Sequence, residues 1–327
     1  MTQLPDVPSV HAVPVIDLDR ATPAELVAGL IGSSCVFLVN HGLSDAAVGA
    51  LLSTARDFFG RPEAEKAAVQ WSGEGPWRGW QPVYAGGPQA MLLERFEVAL
   101  TPGGADGPRS AWAATFDQWP AEPAGTAEAW TEVYATLHAL ASRATTMVAE
   151  GLGLPAADLP AWTTGQHSNL VVNHYLAQPQ PPEPGRVRQR AHTDIGGVTI
   201  LWNDSSPGAP AGLQARIGPA DGPDQGWVPV VFPPGALLLQ AGDLLHVWSR
   251  GRIPANDHRV VNPSRVDGVP QVARYSAVFF HHPDVDTWVA PALPELEDGG
   301  ETLEPTAALD HILARQQNSA AQDAAPA

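Results

Sequence analysis

Lysine is nearly missing from this chain: Lys66 is the only one among 18 basic residues, and the other 17 are Arg. Cysteine is as scarce. Cys35 stands alone, which excludes an intramolecular disulfide and a thiolate metal cluster and suits a reducing compartment. No run of 18 apolar residues occurs, and no basic stretch followed by an apolar one opens the chain, so neither a membrane span nor a signal peptide is expected. Positive charge is also short: 18 Lys plus Arg against 35 Asp plus Glu leave a net charge of −17. Nucleic acids and anionic membranes are bound by clustered Lys and Arg, so both are excluded as expected partners. The expectation is a cytoplasmic protein with a small-molecule partner, its oligomeric state left open.

What is present in quantity is apolar and turn-forming material. Hydrophobic residues make up 44% of 327 and charged residues 16%, while 31 Gly and 33 Pro imply many short elements joined by turns. Val13 to Leu18 reads as a short strand. It is followed by Thr22-Pro23-Ala24-Glu25, in which Thr22 caps a helix, Pro23 opens it and Glu25 completes a capping box. Cys35 to Val39 reads as a second strand, Ser44 to Phe59 as a helix, and residues 127–151 as the longest helix, with Trp130, Val133, Tyr134, Leu137, Leu140, Ala141 and Met147 on one broad face.

From about Leu170 the texture changes to short apolar runs between turns. These are Leu170–Leu176, Val198–Trp202, Gly212–Ile217, Trp227–Val231, Ala236–Gln240, Asp243–Trp248, His258–Val261 and Arg274–Phe280. Such spacing predicts a mainly β fold of the jelly-roll kind with flanking helices. Two Pro-rich stretches, 101–126 and 177–190, are read as surface loops rather than linkers. The chain is therefore taken as a single domain, 1–327, with a helix-rich N-terminal part over 1–126, a jelly-roll core over 165–290 and a tail over 316–327 that frays.

Three dipeptide-spaced pairs carry the chemistry, because residues i and i+2 of an extended segment share a face. His192 and Asp194 place an imidazole and a carboxylate together. With one more His they would make the two-His, one-carboxylate set favoured by non-haem Fe(II) oxygenases. His246, His258, His281 and His282 are the candidates for that third ligand, and the loop-to-strand position of His258 favours it over His246, which lies in a strand-like run. Arg274 and Ser276 form a carboxylate receptor, a guanidinium fork beside a hydroxyl. Asn173 and Tyr175 add an amide and a phenol. Together these pairs supply what a dicarboxylate cosubstrate needs.

In this order the motifs resemble the isopenicillin N synthase-like branch of the Fe(II)/2-oxoglutarate-dependent dioxygenases. The matching pieces are Val13-Pro14-Val15-Ile16-Asp17-Leu18, Phe37-Leu38-Val39-Asn40-His41-Gly42, Asp57-Phe58-Phe59 before Glu65-Lys66, Arg78-Gly79-Trp80 and Glu94-Arg95-Phe96-Glu97. They continue with Asn173-His174-Tyr175, His192-Thr193-Asp194, Gly212-Leu213-Gln214, Trp227-Val228-Pro229-Val230, Gly242-Asp243, His258-Arg259-Val260 and Arg274-Tyr275-Ser276. The resemblance implies a single catalytic domain with a double-stranded β-helix (jelly-roll) core. It implies Fe(II) held by His192, Asp194 and His258, and 2-oxoglutarate held by Arg274 and Ser276 with Tyr175 and Asn173 nearby. The implied reaction uses O2 to hydroxylate, desaturate or cyclise a small molecule, releasing succinate and CO2; a specialised metabolite is the expected substrate. Asp194 argues against a halogenase, which leaves that ligand position open.

Two alternatives are a same-fold Fe(II) oxidase that does not use 2-oxoglutarate and a catalytically idle ligand-binding β-barrel. One departure from the family pattern is a longer loop after His258, whose Arg265 lacks a Ser at i+2 and is set aside as the carboxylate partner. Candidate substrate residues are Tyr84, Trp202, Arg78, Arg95 and Phe280, with Trp77 and Trp80 in the same Gly/Pro-rich loop as Arg78 and Tyr84.

Overall fold

The structure, a computed structural model, describes residues 13–71, 78–82, 92–99, 119–164, 167–178, 187–204, 212–218, 226–262, 272–295 and 302–315. In chain order the N-terminal elements are β1 (Val15–Asp17), α1 (Pro23–Ser33), β2 (Cys35–Val39), α2 (Asp45–Phe59), α3 (Glu63–Lys66), β3 (Gly79–Gln81), β4 (Leu93–Val98) and α4 (Thr126–Gly151). The C-terminal elements are β5 (Asn169–Tyr175), β6 (Gln189–His192), β7 (Val198–Asn203), β8 (Leu213–Arg216), β9 (Trp227–Pro229), β10 (Leu237–Ala241), α5 (Asp243–Trp248), β11 (His258–Val260) and β12 (Arg274–His281).

Local chemistry explains the helix starts. The Thr22 hydroxyl accepts from the Glu25 amide while the Glu25 carboxylate accepts from the Thr22 amide, so the capping box predicted for α1 is formed. Ser44 caps α2 through the Ala47 amide. Helix α4 buries Trp130, Tyr134, Leu137, Ala141, Ala144 and Val148 along one face. Removing side chains of Leu or aromatic size from water stabilises the fold by roughly 1.5–3 kcal/mol each.

Eight strands form the major sheet in the order β1-β2-β10-β7-β12-β5-β4-β3, and four form the minor sheet in the order β6-β11-β8-β9. The two sheets face one another across a core holding Phe37, Val171, Leu201, Leu238 and Val278 from the major sheet and Leu213, Ala215 and Val260 from the minor one. This is the jelly roll, mainly β with helices flanking it. Helices α2 and α4 cover the outer face of the major sheet through a second cluster that includes Leu51, Trp130, Phe96, Leu170, Ile200 and Phe279. The N-terminal part supplies four of the eight major-sheet strands, β1 to β4, so neither half of the chain buries its apolar faces without the other.

One predicted strand is a helix: Asp243–Trp248 is α5, with Leu244, Leu245 and Trp248 on its buried side. A six-residue apolar run fits either element, and periodicity over so short a span cannot separate them. The Trp227 strand ends at Pro229, before Val231, which is 72% exposed. Strands β3, β4 and β6 lie outside the predicted set.

Outside the sheets, the lone lysine is buried. Lys66 Nζ lies 2.7 Å from the Glu94 carboxylate, which also accepts from Trp80 Nε1 and pairs with His174 Nδ1 at 2.9 Å. Burial works to raise Glu94, but the hydrogen bonds from His174, Lys66 and Trp80 outweigh it and hold the carboxyl below its usual range. Cys35 is also fully buried, on β2. Among the described residues no helix is long and apolar enough to cross a membrane.

Candidate metal and cosubstrate site

His192 ends β6, and His258 begins β11 directly opposite it in the antiparallel pairing of the minor sheet. Their rings lie 4.3 Å apart. His192 Nδ1 is 2.8 Å from the Arg190 carbonyl and His258 Nδ1 is 3.1 Å from the Asn256 carbonyl. A carbonyl only accepts, so both Nδ1 atoms carry the proton and both Nε2 atoms present a lone pair. Each Nε2 faces the same oxygen, Asp194 Oδ1, at 3.8 and 3.9 Å. One donor atom from each residue lies within 4.8 Å of the others.

The loop bearing Asp194 is fixed by the start of α5. Asp243 N donates to the Asp194 carbonyl and Leu244 N to the Gly196 carbonyl, at 2.8 and 3.0 Å. This contact demands glycine at 242, where a Cβ would sit 2.3 Å from Gly196 O; Gly196 is required separately by the end of β12, since a Cβ there would sit 2.9 Å from the His281 carbonyl. Arg315 ties the same loop from outside, donating to the Thr193 hydroxyl and pairing with Asp243 at 3.2 Å. His192 is pushed down to about 4, by burial first and then by the neighbouring His258. Its imidazole is therefore neutral at neutral pH. A two-His, one-carboxylate set whose rings are oriented by backbone carbonyls fits a divalent cation.

The triad opens into a cavity between the sheets of about 650 Å³, counting the part open to solvent. In the major sheet the inward side chains fall in layers set by strand register. Arg274 is level with Tyr175; Ser276 is level with Asn173 and Asn203, and Asn173 in turn with Arg95; Val278 is level with Val171 and Leu201. Asn173 Nδ2 donates to Ser276 Oγ at 3.2 Å. The Arg274 guanidinium lies 4.0 Å from the Tyr175 ring centre and donates to Asn203. It is 3% exposed, and burial lowers its pKa from the ordinary Arg value.

The predicted residues divide as follows. His192, Asp194 and His258 come together, and Arg274, Ser276, Tyr175, Asn173, Arg95 and Phe280 line the same cavity. Trp202 does not: Leu201 and Asn203 on either side of it point inward, so Trp202 packs with the helix-side cluster instead. Arg78 lies 3.6 Å from the buried Glu97 carboxylate and is not among the cavity-lining residues. Trp80 donates to Glu94 on the outer face. Tyr84, Trp77, Arg265 and most of the loop after His258 lie outside the described residues.

The other candidate ligands are placed elsewhere. His246 Nδ1 lies on α5 and bonds the Ile253 carbonyl at 3.1 Å. His281 meets Ser168 Oγ at 2.9 Å on the helix side, and His282 stacks on Phe280.

Sequence reasoning missed Arg188, Asn203 and Gln240. Arg188 is fully buried, its guanidinium 5.7 Å from the Tyr175 ring, and burial followed by the nearby Arg274 charge pushes it down to about 10. Nothing in the run Arg186, Arg188, Arg190 marks the middle residue for burial beside Tyr175. Gln240 Nε2 donates to Asn256 Oδ1 at 2.6 Å, bracing the loop that leads into His258. For Asn203 and Gln240 the alternation of inward and outward residues along β7 and β10 is the signal that could have found them.

Comparison with known proteins agrees with this geometry. Residues 166–283 match the 2OG-Fe(II) oxygenase superfamily, and residues 13–122 match the family described as "non-haem dioxygenase in morphine synthesis N-terminal". Gibberellin 3-beta-dioxygenase 1 of Oryza sativa subsp. japonica is 30% identical over 86% of this chain and 70% of its own. Validamycin A dioxygenase of Streptomyces hygroscopicus subsp. limoneus is 29% identical over 86% of this chain and 79% of its own. Among solved structures, a full-length Neurospora crassa protein crystallised in complex with alpha-KG superposes with a TM-score of 0.80 at 22% identity, over 93% of this chain and 96% of that one.

Proposed function

Because this chain belongs to the 2-oxoglutarate/Fe(II) oxygenase family and is a non-haem dioxygenase, we propose specific roles for its residues. His192 Nε2, Asp194 and His258 Nε2 hold the Fe(II), and Arg274 with Ser276 holds the outer carboxylate of 2-oxoglutarate. Tyr175 supports the Arg274 guanidinium through its ring face, and Asn173 orients the Ser276 hydroxyl. The observation that carries this reading is the placement of two tautomer-locked imidazoles and a carboxylate in one cavity with a buried Arg-x-Ser pair.

The bound iron and 2-oxoglutarate supply the oxidising chemistry, consuming O2 and releasing succinate and CO2. The chain's own contribution is positioning and charge. Asp194 offsets part of the metal's charge, and the backbone bonds at Nδ1 hold both imidazoles in orientation, with Nε2 toward Asp194. Arg274, stacked on Tyr175 and steadied by Asn203, offers a preorganised fork for a carboxylate. Val171, Leu201, Val278 and Phe280 give the remaining wall an apolar surface that suits a small organic substrate. Hydroxylation is the outcome this site supports first, with desaturation and ring closure sharing the same residues. Relatives named validamycin A dioxygenase and flavone synthase support specialised-metabolite tailoring as the biological setting.

The test is an anaerobic titration of the Fe(II)-loaded protein with 2-oxoglutarate, followed by the visible metal-to-ligand charge-transfer band. A band that appears and saturates is expected. Iron binding without a band would instead identify an oxidase that does not use 2-oxoglutarate, and absence of iron binding would remove the triad assignment.

A further inference from the structure

Among the described residues two arginines line the cavity, Arg274 and Arg95. Arg274 is committed to Tyr175 and Asn203, and by its proposed role to the cosubstrate. Among the described residues Arg95 has no such commitment. It stands on β4, in register with Asn173 of β5, and so belongs to a strand two places from β12. That is roughly 10 Å across the sheet from the strand of Arg274. Arg274 stacks on Tyr175 of β5 and donates to Asn203 of β7.

Glu97, two residues along and on the same face of β4, is the nearest acid by position, but its oxygens are taken. Oε1 accepts from Asn169 Nδ2 at 2.6 Å and faces Arg78 at 3.6 Å, while Oε2 accepts from Gln81 Nε2 at 3.3 Å. Arg95 influences Glu97 only through longer-range charge and makes no hydrogen bond or ion pair with the described residues. Even with Glu97 ionised, Arg78 and Arg95 leave one positive charge on this wall. A half-buried guanidinium facing a cavity is unfavourable without a counter-ion. The chain has 35 acidic residues, yet none of the described ones is placed to supply it. Arg95 lines the same cavity as His192 and Asp194, so an anion it receives shares that cavity with the metal ligands.

We propose that Arg95 is the receptor for a carboxylate of the organic substrate, so that this oxygenase acts on a small carboxylic acid in its anionic form. The planar fork pairs with the carboxylate, and the acid's apolar body lies against Val171, Val278 and Phe280. This deepens the assignment above and rests on it.

The test uses the holoenzyme, loaded anaerobically with Fe(II) and 2-oxoglutarate, and a panel of small carboxylic acids each matched with its primary amide. Binding is read from the perturbation of the charge-transfer band, and turnover from succinate release in air. Acids are expected to perturb the band at concentrations at least tenfold below their amides. Arg95→Gln is expected to weaken acid binding at least tenfold while leaving the band and its 2-oxoglutarate dependence unchanged, which also shows that the variant is folded. Arg95→Lys should recover part of the acid preference.

Acids and amides that bind alike, a panel in which no acid binds, or an Arg95→Gln protein that binds acids as the parent does would each overturn the inference. So would an Arg95→Gln protein whose 2-oxoglutarate requirement rises, since Arg95 would then serve the cosubstrate. A parent protein that forms no band at all would remove the metal-site reading and this inference with it; an intact band with no acid preference removes this inference alone.

Discussion

Each central strand of the major sheet sends alternate residues to two different places, and the two rows are built by different rules. Toward α2 and α4 go Leu170, Val172, Phe96, Ile200, Ala277 and Phe279, nearly all of them fully buried. Toward the minor sheet go Asn173, Tyr175, Arg95, Asn203, Arg274 and Ser276. The outer row has polar members too, but they are closed on themselves: Lys66, Glu94, His174 and Trp80 satisfy one another, and His174 stacks flat on Tyr275 at 4.8 Å. The inner row holds donors aimed at a cavity. A sheet whose period is two can carry a packed core and a receptor on the same backbone, because neither row has to compromise for the other.

The sharpest way to break this contrast is at the metal. Asp194→Gly is expected to leave the thermal transition nearly in place and to abolish turnover, with iron affinity lower by roughly a hundredfold or more, measured as bound iron and succinate release. Normal turnover in that variant would take Asp194 out of the site. Next is Arg274→Ala. Removing one partner of a buried charge-assisted pair should raise the 2-oxoglutarate concentration needed for half the band by roughly a hundredfold, again with little loss of stability. An unchanged requirement would mean that another arginine does this work.

The outer row should answer in the opposite way. Phe279 is fully buried, with its ring 5.1 Å from that of Tyr134 on α4. Phe279→Ala is expected to destabilise the fold by about 3–5 kcal/mol in denaturant titration. At temperatures where it stays folded, its 2-oxoglutarate affinity should match the parent's. A large loss of cosubstrate affinity in the folded variant would mean that the two rows are not independent.

The smallest effect belongs to Glu97, whose carboxyl is pushed up to about 7, by burial first, with Arg78 and Arg95 offsetting only part of it. Below about pH 5 both folded and unfolded chains hold this proton. Between there and about pH 7 only the folded chain holds it, so the group makes stability fall as pH rises through that window. Glu97→Gln carries no such slope. Its stability relative to the parent should therefore improve from pH 5 to pH 8, by on the order of 1–3 kcal/mol, measured by paired melts across that range. A constant difference would show that Glu97 is ionised throughout.

Much of this was legible in the residues themselves. The capping box at Thr22, the stripe along α4 and the three dipeptide-spaced pairs are local patterns, and local patterns survive folding unchanged. What was not legible depended on partners distant in sequence. β4 reads Leu-Glu-Arg-Phe-Glu-Val, too charged for a buried strand until Lys66, His174 and Asn169 arrive to meet its glutamates. Trp202 attracts a pocket role because it is aromatic and near the ligands, yet parity along β7 puts it on the helix side. α5 was obscured because Leu244, Leu245 and Trp248 satisfy a strand-like count over six residues. Arg188 belongs to a run of three arginines with no pattern to choose among them.

The two scarcest nucleophiles in the chain are both hidden. Cys35 is fully buried on β2 with its thiol pushed up to about 12 by burial, and Lys66 is buried against Glu94 with its ammonium 5.1 Å from the centre of the Trp80 ring. Maleimides and amine-reactive dyes therefore meet almost no reactive side chain while the protein is folded. A cysteine introduced at the exposed Ala50 of α2 would carry a single fluorophore with no native cysteine removed, giving an optical reporter on a helix that covers the major sheet. The unmodified chain carries its own clock as well: the rate at which Cys35 becomes alkylated reports how often the space between the two sheets opens to water.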